Sequence, residues 1–320
     1  MDAESYEDTE DIGDGSFGSV KLVKRTDGAR FAMKKVPIGN MDEKDTEDAL
    51  KECQLLASLR HPRIVDFEAA FLSEDKQTLC IVMEYCEMGD IAALIKKNND
   101  GNLIIAEDTI WAYMVQIAEG LAFLHGQNIA HRDLKPGNIF LAADGSAKLG
   151  DLNVSKIARH GSVLETCVGT PLFMAPEVWE DEPYTNQCDL WGLGCVVYEL
   201  AALDSAFKGK TVFKIQSAVL SGTYSPLPEG RYSSALSGVI GEMLVVDPEQ
   251  RLSAPGVLSH REVKKRVASG LLKQPVAGGP HNETEEGGSV DTDLLAAIVI
   301  TSAVAARNSA GGGGGGSGGG

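Results

Sequence analysis

The pattern of apolar residues along this chain changes character near residues 84–90. Before that point, Phe17–Val23 and Arg30–Val36 are short runs of mixed apolar and polar residues on either side of the turn signal Thr26-Asp27-Gly28, which is typical of strands. After it, apolar residues recur at the spacing of one helix face, at Ile110, Met114, Ile117, Leu121 and Leu124. The change predicts an α+β fold of two lobes, a small β-rich lobe followed by a larger helical lobe.

Three further segments fit this division. The sequence predicts a helix over about residues 45–59, a strand over Leu79–Tyr85 and a buried helix over Leu190–Leu200, which is apolar nearly all round. Beyond about residue 270, the glycine-rich sequence has no means of packing a core. Within this tail, Leu294–Ala306 is apolar, and both a short docking helix and a segment that frays in solution are open interpretations.

Charge and cysteine content exclude several classes of protein. The formal net charge of −17, from 46 acidic and 29 basic side chains, repels a phosphate backbone and argues against nucleic-acid binding. No apolar run reaches the roughly 18–20 residues that span a bilayer, and the acidic N-terminus lacks a signal-peptide pattern. The six cysteines form no C-x-x-C pair, which argues against zinc and a disulfide framework. These features predict a cytoplasmic protein.

Glycines recur near the N-terminus in the pattern Gly13-x-Gly15-x-x-Gly18-x-Val20. Glycines at this spacing let a backbone approach phosphates without an intervening Cβ. A dinucleotide-binding turn would need a preceding strand and a following helix, whereas strand-like residues follow here. The pattern favours a hairpin over phosphates, and a plain turn remains the alternative at this point.

Lys34 lies on a predicted strand sixteen residues after Gly18. A lysine there can reach the α- and β-phosphates of a nucleotide, while strand alternation places Lys35 on the opposite face. Glu52 shares the apolar face of the next predicted helix with Leu55 and Leu59 and is the expected partner of Lys34. A solvated lysine and a helix-flank glutamate are the alternatives.

The segment His131-Arg132-Asp133-Leu134-Lys135-Pro136-Gly137-Asn138 closely resembles the catalytic loop of eukaryotic protein kinases. The resemblance implies that Asp133 accepts the substrate hydroxyl proton, that Lys135 steadies the γ-phosphate, and that Asn138 binds Mg²⁺. Asp151 stands where the D-F-G aspartate is expected and would be the main magnesium ligand. Other signatures follow in the family's order: Ala175-Pro176-Glu177, Asp189-x-Trp191-x-x-Gly194, and Arg251 as the expected partner of Glu177.

Two further features indicate the branch of the family. Lys135 and Thr170 resemble serine/threonine kinases rather than tyrosine kinases, and residues 78–90 and 148–152 are similar to NIMA-related kinases. That resemblance implies the cofactors ATP and Mg²⁺ and an adenine site at the segment joining the lobes. Met83 would be the gatekeeper, the backbone of Glu84 and Cys86 would bind the adenine edge, and Ile12, Val20 and Ala32 would sandwich the ring.

The D-F-G motif departs from the family pattern, with Leu152 for phenylalanine and Asn153 for glycine. Asparagine tolerates positive φ better than most residues, and Asp151 is intact. The departure bears on the flexibility of the activation segment more than on catalysis. It leaves a nucleotide-binding pseudokinase, acting as an interaction module, as the alternative to an active kinase.

Regulation and partners are also expectations from the resemblance. Arg132 offers a basic group for a phosphate on the activation segment, and Thr166 aligns with the usual phosphosite, although it could be an exposed threonine only. Expected partners are protein substrates and an activating kinase, or autophosphorylation at Thr166. The family also implies association with the basal body, cilium or centrosome.

The motifs divide the chain into three parts. An N-terminal arm covers residues 1–5 and the kinase domain covers residues 6–262, with lobes at 6–86 and 87–262. The end of a C-terminal helix and the glycine-rich tail cover residues 263–320.

Overall fold

A computed structural model describes residues 6–15, 18–38, 59–73, 75, 77–151, 171–182 and 185–272 of this chain. Within them, a five-stranded antiparallel sheet occupies the N-terminal part and helices dominate the C-terminal part. The predicted α+β fold with a β-rich lobe before a helical lobe is therefore confirmed. Residues 45–58 of the predicted helix and the tail beyond residue 272 lie outside the described residues, whereas Leu59 is described and buried.

The sheet of the N-terminal lobe has the strand order β1-β2-β3-β5-β4. Its strands are β1 Tyr6–Gly15, β2 Gly18–Arg25, β3 Arg30–Pro37, β4 Phe67–Leu72 and β5 Thr78–Glu84. Each sequential pair of neighbours is antiparallel, and β3 pairs with β5 in the middle of the sheet. Strands β2, β3 and β5 were predicted from the sequence, whereas the acidic residues of β1 gave no strand signal.

Strand β1 forms because pairing and one buried aromatic residue outweigh its polar composition. It lies at the edge of the sheet, where outward-facing side chains stay in water and charged residues are tolerated. Tyr6 at its start is buried and stacks on Phe71 of β4, with the ring centroids 5.8 Å apart. Asp8 contacts Lys35 of β3, with 2.6 Å between Oδ2 and Nζ. These tertiary contacts, rather than an alternating pattern, define the strand.

The C-terminal lobe is built around two long buried helices, α2 and α4. Its helices are α1 Ile91–Asp100, α2 Glu107–Gly126, α3 Pro176–Trp179, α4 Gln187–Ala202, α5 Val212–Leu220, α6 Ser234–Met243, α7 Ala254–Ser259 and α8 Arg261–Ala268. The periodic residues of the predicted 110–124 helix are all buried in α2, as is nearly every residue of Leu190–Leu200 in α4. Two 3₁₀ turns lie at Pro136–Asn138 and Pro171–Phe173, and the first contributes to the site described below.

A short hairpin contacts the segment before β4. Its strands are β6 Ile139–Leu141 and β7 Ala147–Leu149. Leu149 forms an isolated parallel bridge with Ile64, donates from its backbone N–H to the Arg63 carbonyl at 2.8 Å, and accepts from the Val65 N–H at 2.9 Å. The segment before β4 is thereby fixed to the helical lobe. Residues 84–90, called the hinge below, form the other connection.

No helix in the described part of the chain is both long and apolar enough to cross a membrane.

Candidate active site

A cleft of about 680 Å³ lies between the sheet and the helical lobe. Ile12, Val20, Ala32 and Met83 are among its apolar lining residues, and Glu84 and Cys86 of the hinge also line it. At its other end the lining is polar: Lys34, Lys135, Asn138 and Asp151. The cleft therefore combines a flat apolar slot with a charged end, which is the arrangement that a purine nucleotide requires.

Residues of the hinge line the cleft beside its apolar residues. Met83 pairs with Ala32 and Glu84 with Phe31 across the β3–β5 ladder, which fixes the depth of the slot. The Glu84 N–H donates to the Asp66 carbonyl oxygen at 2.8 Å. Cys86 is buried, and this burial raises the pKa of its thiol to about 12, so it acts as a small apolar residue.

Lys34 projects from β3 toward the polar end of the cleft and contacts Asp151. Its Nζ lies 2.8 Å from Asp151 Oδ1, and Lys34 itself is buried. Burial would raise the pKa of Asp151, but the charge and the hydrogen bond of Lys34 outweigh it and hold that pKa below its ordinary value. The carboxylate is therefore ionised at neutral pH. The predicted partner Glu52 lies outside the described residues.

Asp133 is held by two neighbours on its own loop. Asn138 Nδ2 donates to the Asp133 carbonyl oxygen at 2.8 Å and to Asp133 Oδ2 at 3.0 Å. Lys135 Nζ donates to the same Oδ2 at 2.9 Å. The proline of the 3₁₀ turn Pro136–Asn138 favours this tight return of the chain. Asp133 does not itself line the cleft, but Lys135 and Asn138 do.

Asp189 fixes the backbone of the catalytic loop from within the helical core. It is buried on α4 and accepts hydrogen bonds from the backbone N–H groups of His131 and Arg132, both at 2.8 Å. His125 Nε2 lies 2.8 Å from its Oδ2. Burial would raise the pKa of Asp189, but these donors, His125 foremost, lower it. Arg132 has a φ of +65°, an uncommon backbone state for such a residue, and the bonds to Asp189 hold it there.

The segment before Asp151 is tied to the same loop. Gly150 donates from its N–H to the Asn138 carbonyl at 3.0 Å, and its own carbonyl accepts from His131 Nε2 at 3.1 Å. A Cβ on Gly150 would lie 2.6 Å from the Phe140 ring, so a side chain does not fit there. Asp151 takes a φ of +50°. The fold thereby places Asp133, Asn138 and Asp151 beside one another.

The glycine-rich segment forms the closing end of a hairpin, as expected. Gly15 and Gly18 are paired across β1 and β2, and Gly13 lines the cleft. An added Cβ on Gly13 would meet nothing within 4 Å.

The residues at the polar end fit Mg²⁺ held jointly with a nucleotide. In the described part of the chain, no three or more His, Cys, Asp or Glu side chains cluster as a metal site. Mg²⁺ is usually bound by one or two carboxylates together with substrate phosphates, and Asp151 supplies such a carboxylate. Because Asn138 Nδ2 is bonded to Asp133, the amide oxygen of Asn138 is the atom that would bind a cation.

Several predicted residues lie outside the described residues: Glu52, Leu152, Asn153, Thr166 and Thr170. Arg132, the predicted partner of an activation-segment phosphate, is among the described residues and lies next to Asp133. The expected pair of Glu177 and Arg251 is present: two parallel hydrogen bonds of 2.8 and 2.9 Å join them, and both residues are buried.

The contact of Lys148 with the hinge was not predicted from the sequence. Lys148 Nζ lies 2.6 Å from Glu84 Oε2 and 3.9 Å from Asp66 Oδ2. Both Lys148 and Glu84 lie in segments that resemble NIMA-related kinases, but their contact spans 64 positions and follows from no spacing rule. The alternation of Lys148 with the buried Ala147 and Leu149 was the only local signal.

Comparisons with known proteins identify the family. A family model described as "Protein kinase domain" matches residues 6–262. The chain is 36% identical over 276 residues to "Serine/threonine-protein kinase Nek1" of Mus musculus, covering 86% of this chain and 22% of that protein. It is 35% identical over 291 residues to "Serine/threonine-protein kinase Nek3" of Oryza sativa subsp. japonica, covering 91% and 49% respectively.

A third relative extends this similarity. The chain is 40% identical over 259 residues to "Serine/threonine-protein kinase Nek8" of Danio rerio, covering 80% of this chain and 36% of that protein. This chain thus spans less than half the length of each of these three relatives. On the match over residues 6–262 and these similarities, the chain belongs to the protein kinase family, among its NIMA-related (Nek) members.

Proposed function

We propose that this protein is an active serine/threonine kinase that transfers the γ-phosphate of ATP to hydroxyl groups of other proteins. One observation carries the proposal. The Asp133 carboxylate is bonded to Asn138 and Lys135, and the same loop is bonded to the segment that carries the Lys34–Asp151 pair. Two candidate cation ligands and two ammonium groups therefore line the polar end of one cleft, and the proton acceptor Asp133 is hydrogen-bonded to two of these residues.

The residues of the polar end have separate roles in this proposal. Lys34 orients the α- and β-phosphates as a point charge. Asp151 and Asn138 would hold Mg²⁺, which supplies charge neutralisation at the β- and γ-oxygens. Lys135 steadies the γ-phosphate, since its ammonium lies at the cleft and contacts Asp133. Most of the rate then comes from positioning and electrostatic stabilisation.

Asp133 acts on the substrate. As the γ-phosphorus is attacked by the hydroxyl oxygen, the hydroxyl proton passes to an Asp133 carboxylate oxygen and the bond to the ADP leaving oxygen breaks. Asn138 and Lys135, which line the cleft, hold Oδ2 of Asp133 by hydrogen bonds. The assignment to serine and threonine, rather than tyrosine, rests on Lys135 and on relatives that are named serine/threonine-protein kinases.

The decisive experiment is Mg²⁺-dependent transfer of labelled γ-phosphate to casein. Asp133→Ala should abolish transfer, whereas Asp100→Ala, an exposed carboxylate of α1 that pairs with Lys96, should retain it. Mg²⁺-dependent nucleotide binding without any transfer by the unaltered protein would contradict the proposal and favour the pseudokinase.

Regulation and location extend the proposal. Phosphorylation of Thr166, by an activating kinase or by the protein itself, would add an anion to the activation segment. Arg132 could then pair with this phosphate. Thr166→Ala should therefore lower the activity of autophosphorylated protein, and unchanged activity would exclude this control. A cytoplasmic location with association at the basal body, cilium or centrosome follows from the family alone, and imaging of a tagged protein tests it.

A further inference from the structure

A charged contact outside the catalytic residues joins the helical lobe to the hinge. Lys148 of β7 reaches Glu84 at the end of β5, with 2.6 Å between Nζ and Oε2. The Lys148 side chain is only 12% exposed, so this ion pair is weakly screened by solvent. It connects the helical lobe to the first residue of the hinge.

Glu84 is held from a second direction by the segment before β4. The Asp66 N–H donates to Glu84 Oε2 at 3.2 Å, and the Glu84 N–H donates to the Asp66 carbonyl at 2.8 Å. Asp66 Oδ2 lies 3.9 Å from Lys148 Nζ. Both the backbone and the carboxylate of Glu84 are thus fixed, by groups from both lobes.

The same charges lie close to Cys86. Burial is the main reason that the pKa of the Cys86 thiol is raised, but the Glu84 carboxylate raises it further and the Lys148 ammonium lowers it. The ion pair therefore lies near both Glu84 and Cys86, the two hinge residues that are the candidates for binding the adenine edge.

We propose that Lys148 is a positioning residue for adenine: through Glu84 it fixes the backbone of Glu84 and Cys86 at the spacing that the adenine edge requires. The inference rests on the proposed function, because it assumes that the cleft binds an adenine nucleotide. Hydrogen-bonding groups that are held in place before binding lose less conformational freedom when the ligand arrives. Without Lys148, the hinge must be ordered by the nucleotide itself.

The position of Lys148 in the chain offers a second role, at the other end of the cleft. It precedes Asp151 by three residues, so it could act on the phosphate and metal end of the cleft through β7. The two roles differ in the part of the nucleotide that loses affinity. Adenosine carries the base without phosphates and reports on the hinge alone.

The test compares the dissociation constants of adenosine and of Mg²⁺·ADP by calorimetry for the whole chain. Lys148→Met keeps the length and much of the volume of the side chain and removes its charge. We expect both dissociation constants to rise by the same factor, roughly five- to tenfold. Lys148→Arg keeps the charge and should stay within about twofold of the unaltered protein. Lys96→Met, which breaks an exposed ion pair of α1, should change neither constant.

Each outcome decides the inference. Unchanged constants in Lys148→Met would overturn it, and so would a loss confined to Mg²⁺·ADP with adenosine unaffected. If Lys148→Met does not fold, Glu84→Gln breaks the same ion pair by removing the charge of its other member. This variant must then raise the dissociation constants of both ligands by the same factor. If the unaltered protein binds neither ligand, the proposed function fails first and the inference with it.

Discussion

The ammonium group of Lys34 lies 2.8 Å from the carboxylate of Asp151, a residue 117 positions further along the chain. The pairing of this lysine with Glu52 stays a prediction, because Glu52 lies outside the described residues. The Lys34–Asp151 pair joins the β-rich lobe to the helical lobe across the polar end of the cleft. Its charge state therefore affects stability as well as catalysis.

Lys34→Met should destabilise the protein in a pH-dependent way. In the unaltered protein the pKa of Asp151 is below its ordinary value of 3.8, so its stabilising contribution is present above pH 3.8 and is lost as pH falls through the lowered pKa. Without Lys34, the burial of Asp151 has the largest effect on its carboxyl group, and the pKa of Asp151 rises. We expect a loss of about 2 kcal/mol in the free energy of unfolding at pH 7, shrinking as the pH falls toward 4 and Asp151 becomes protonated.

Urea unfolding of both proteins at pH 7 and pH 4.5 measures this difference. A difference that stays constant or grows toward low pH would show that Asp151 is not the group that Lys34 stabilises.

Arg251→Ala should lower the free energy of unfolding by about 3–5 kcal/mol, because it leaves the Glu177 carboxylate buried without its cation. Arg251 also donates to the carbonyl oxygens of Gln187, Val245 and Val246, so the substitution removes donors from three backbone groups as well. Chemical denaturation measures the loss. A loss below about 1 kcal/mol would mean that water enters the site and replaces the guanidinium.

Asp189→Asn should reduce the turnover number more than it reduces stability. Asp189 accepts the N–H groups of His131 and Arg132 on two different oxygens, and an asparagine can offer only one oxygen. The catalytic loop then shifts, and a small misplacement can lower the rate by roughly 10- to 100-fold. Steady-state kinetics with a parallel melting curve checks this. Full activity in a folded variant would show that the loop holds its position without Asp189.

Two glycines of helix α2 offer a matched pair of substitutions. A Cβ on Gly120 would lie 2.9 Å from the Arg63 carbonyl oxygen and 2.8 Å from Leu149, whereas a Cβ on Gly126 would meet nothing within 4 Å. Gly120→Ala should cost about 1–3 kcal/mol because backbone must move. Gly126→Ala should be neutral or slightly stabilising. Thermal unfolding of both variants compares them, and equal effects would contradict the close approach of the two lobes at Gly120.

The sequence was sufficient to predict an element or a motif wherever a local pattern of residues defines it. The 3.6-residue period over Ile110–Leu124 predicted α2, and the apolar run Leu190–Leu200 predicted α4, because each helix buries the face that its own spacing creates. The catalytic-loop motif and the position of Asp151 pointed to one phosphate-binding end of a cleft. The structure places Asp133, Lys135 and Asn138 in mutual contact there.

Tertiary structure alone decided the features that depend on distant partners. Strand β1 has no apolar alternation and exists because Tyr6 stacks on Phe71 and because its backbone pairs with β2. The contact of Lys34 with Asp151 and that of Lys148 with Glu84 join residues 117 and 64 positions apart. No spacing rule reaches across such separations, since only the packing of the two lobes brings these charges together.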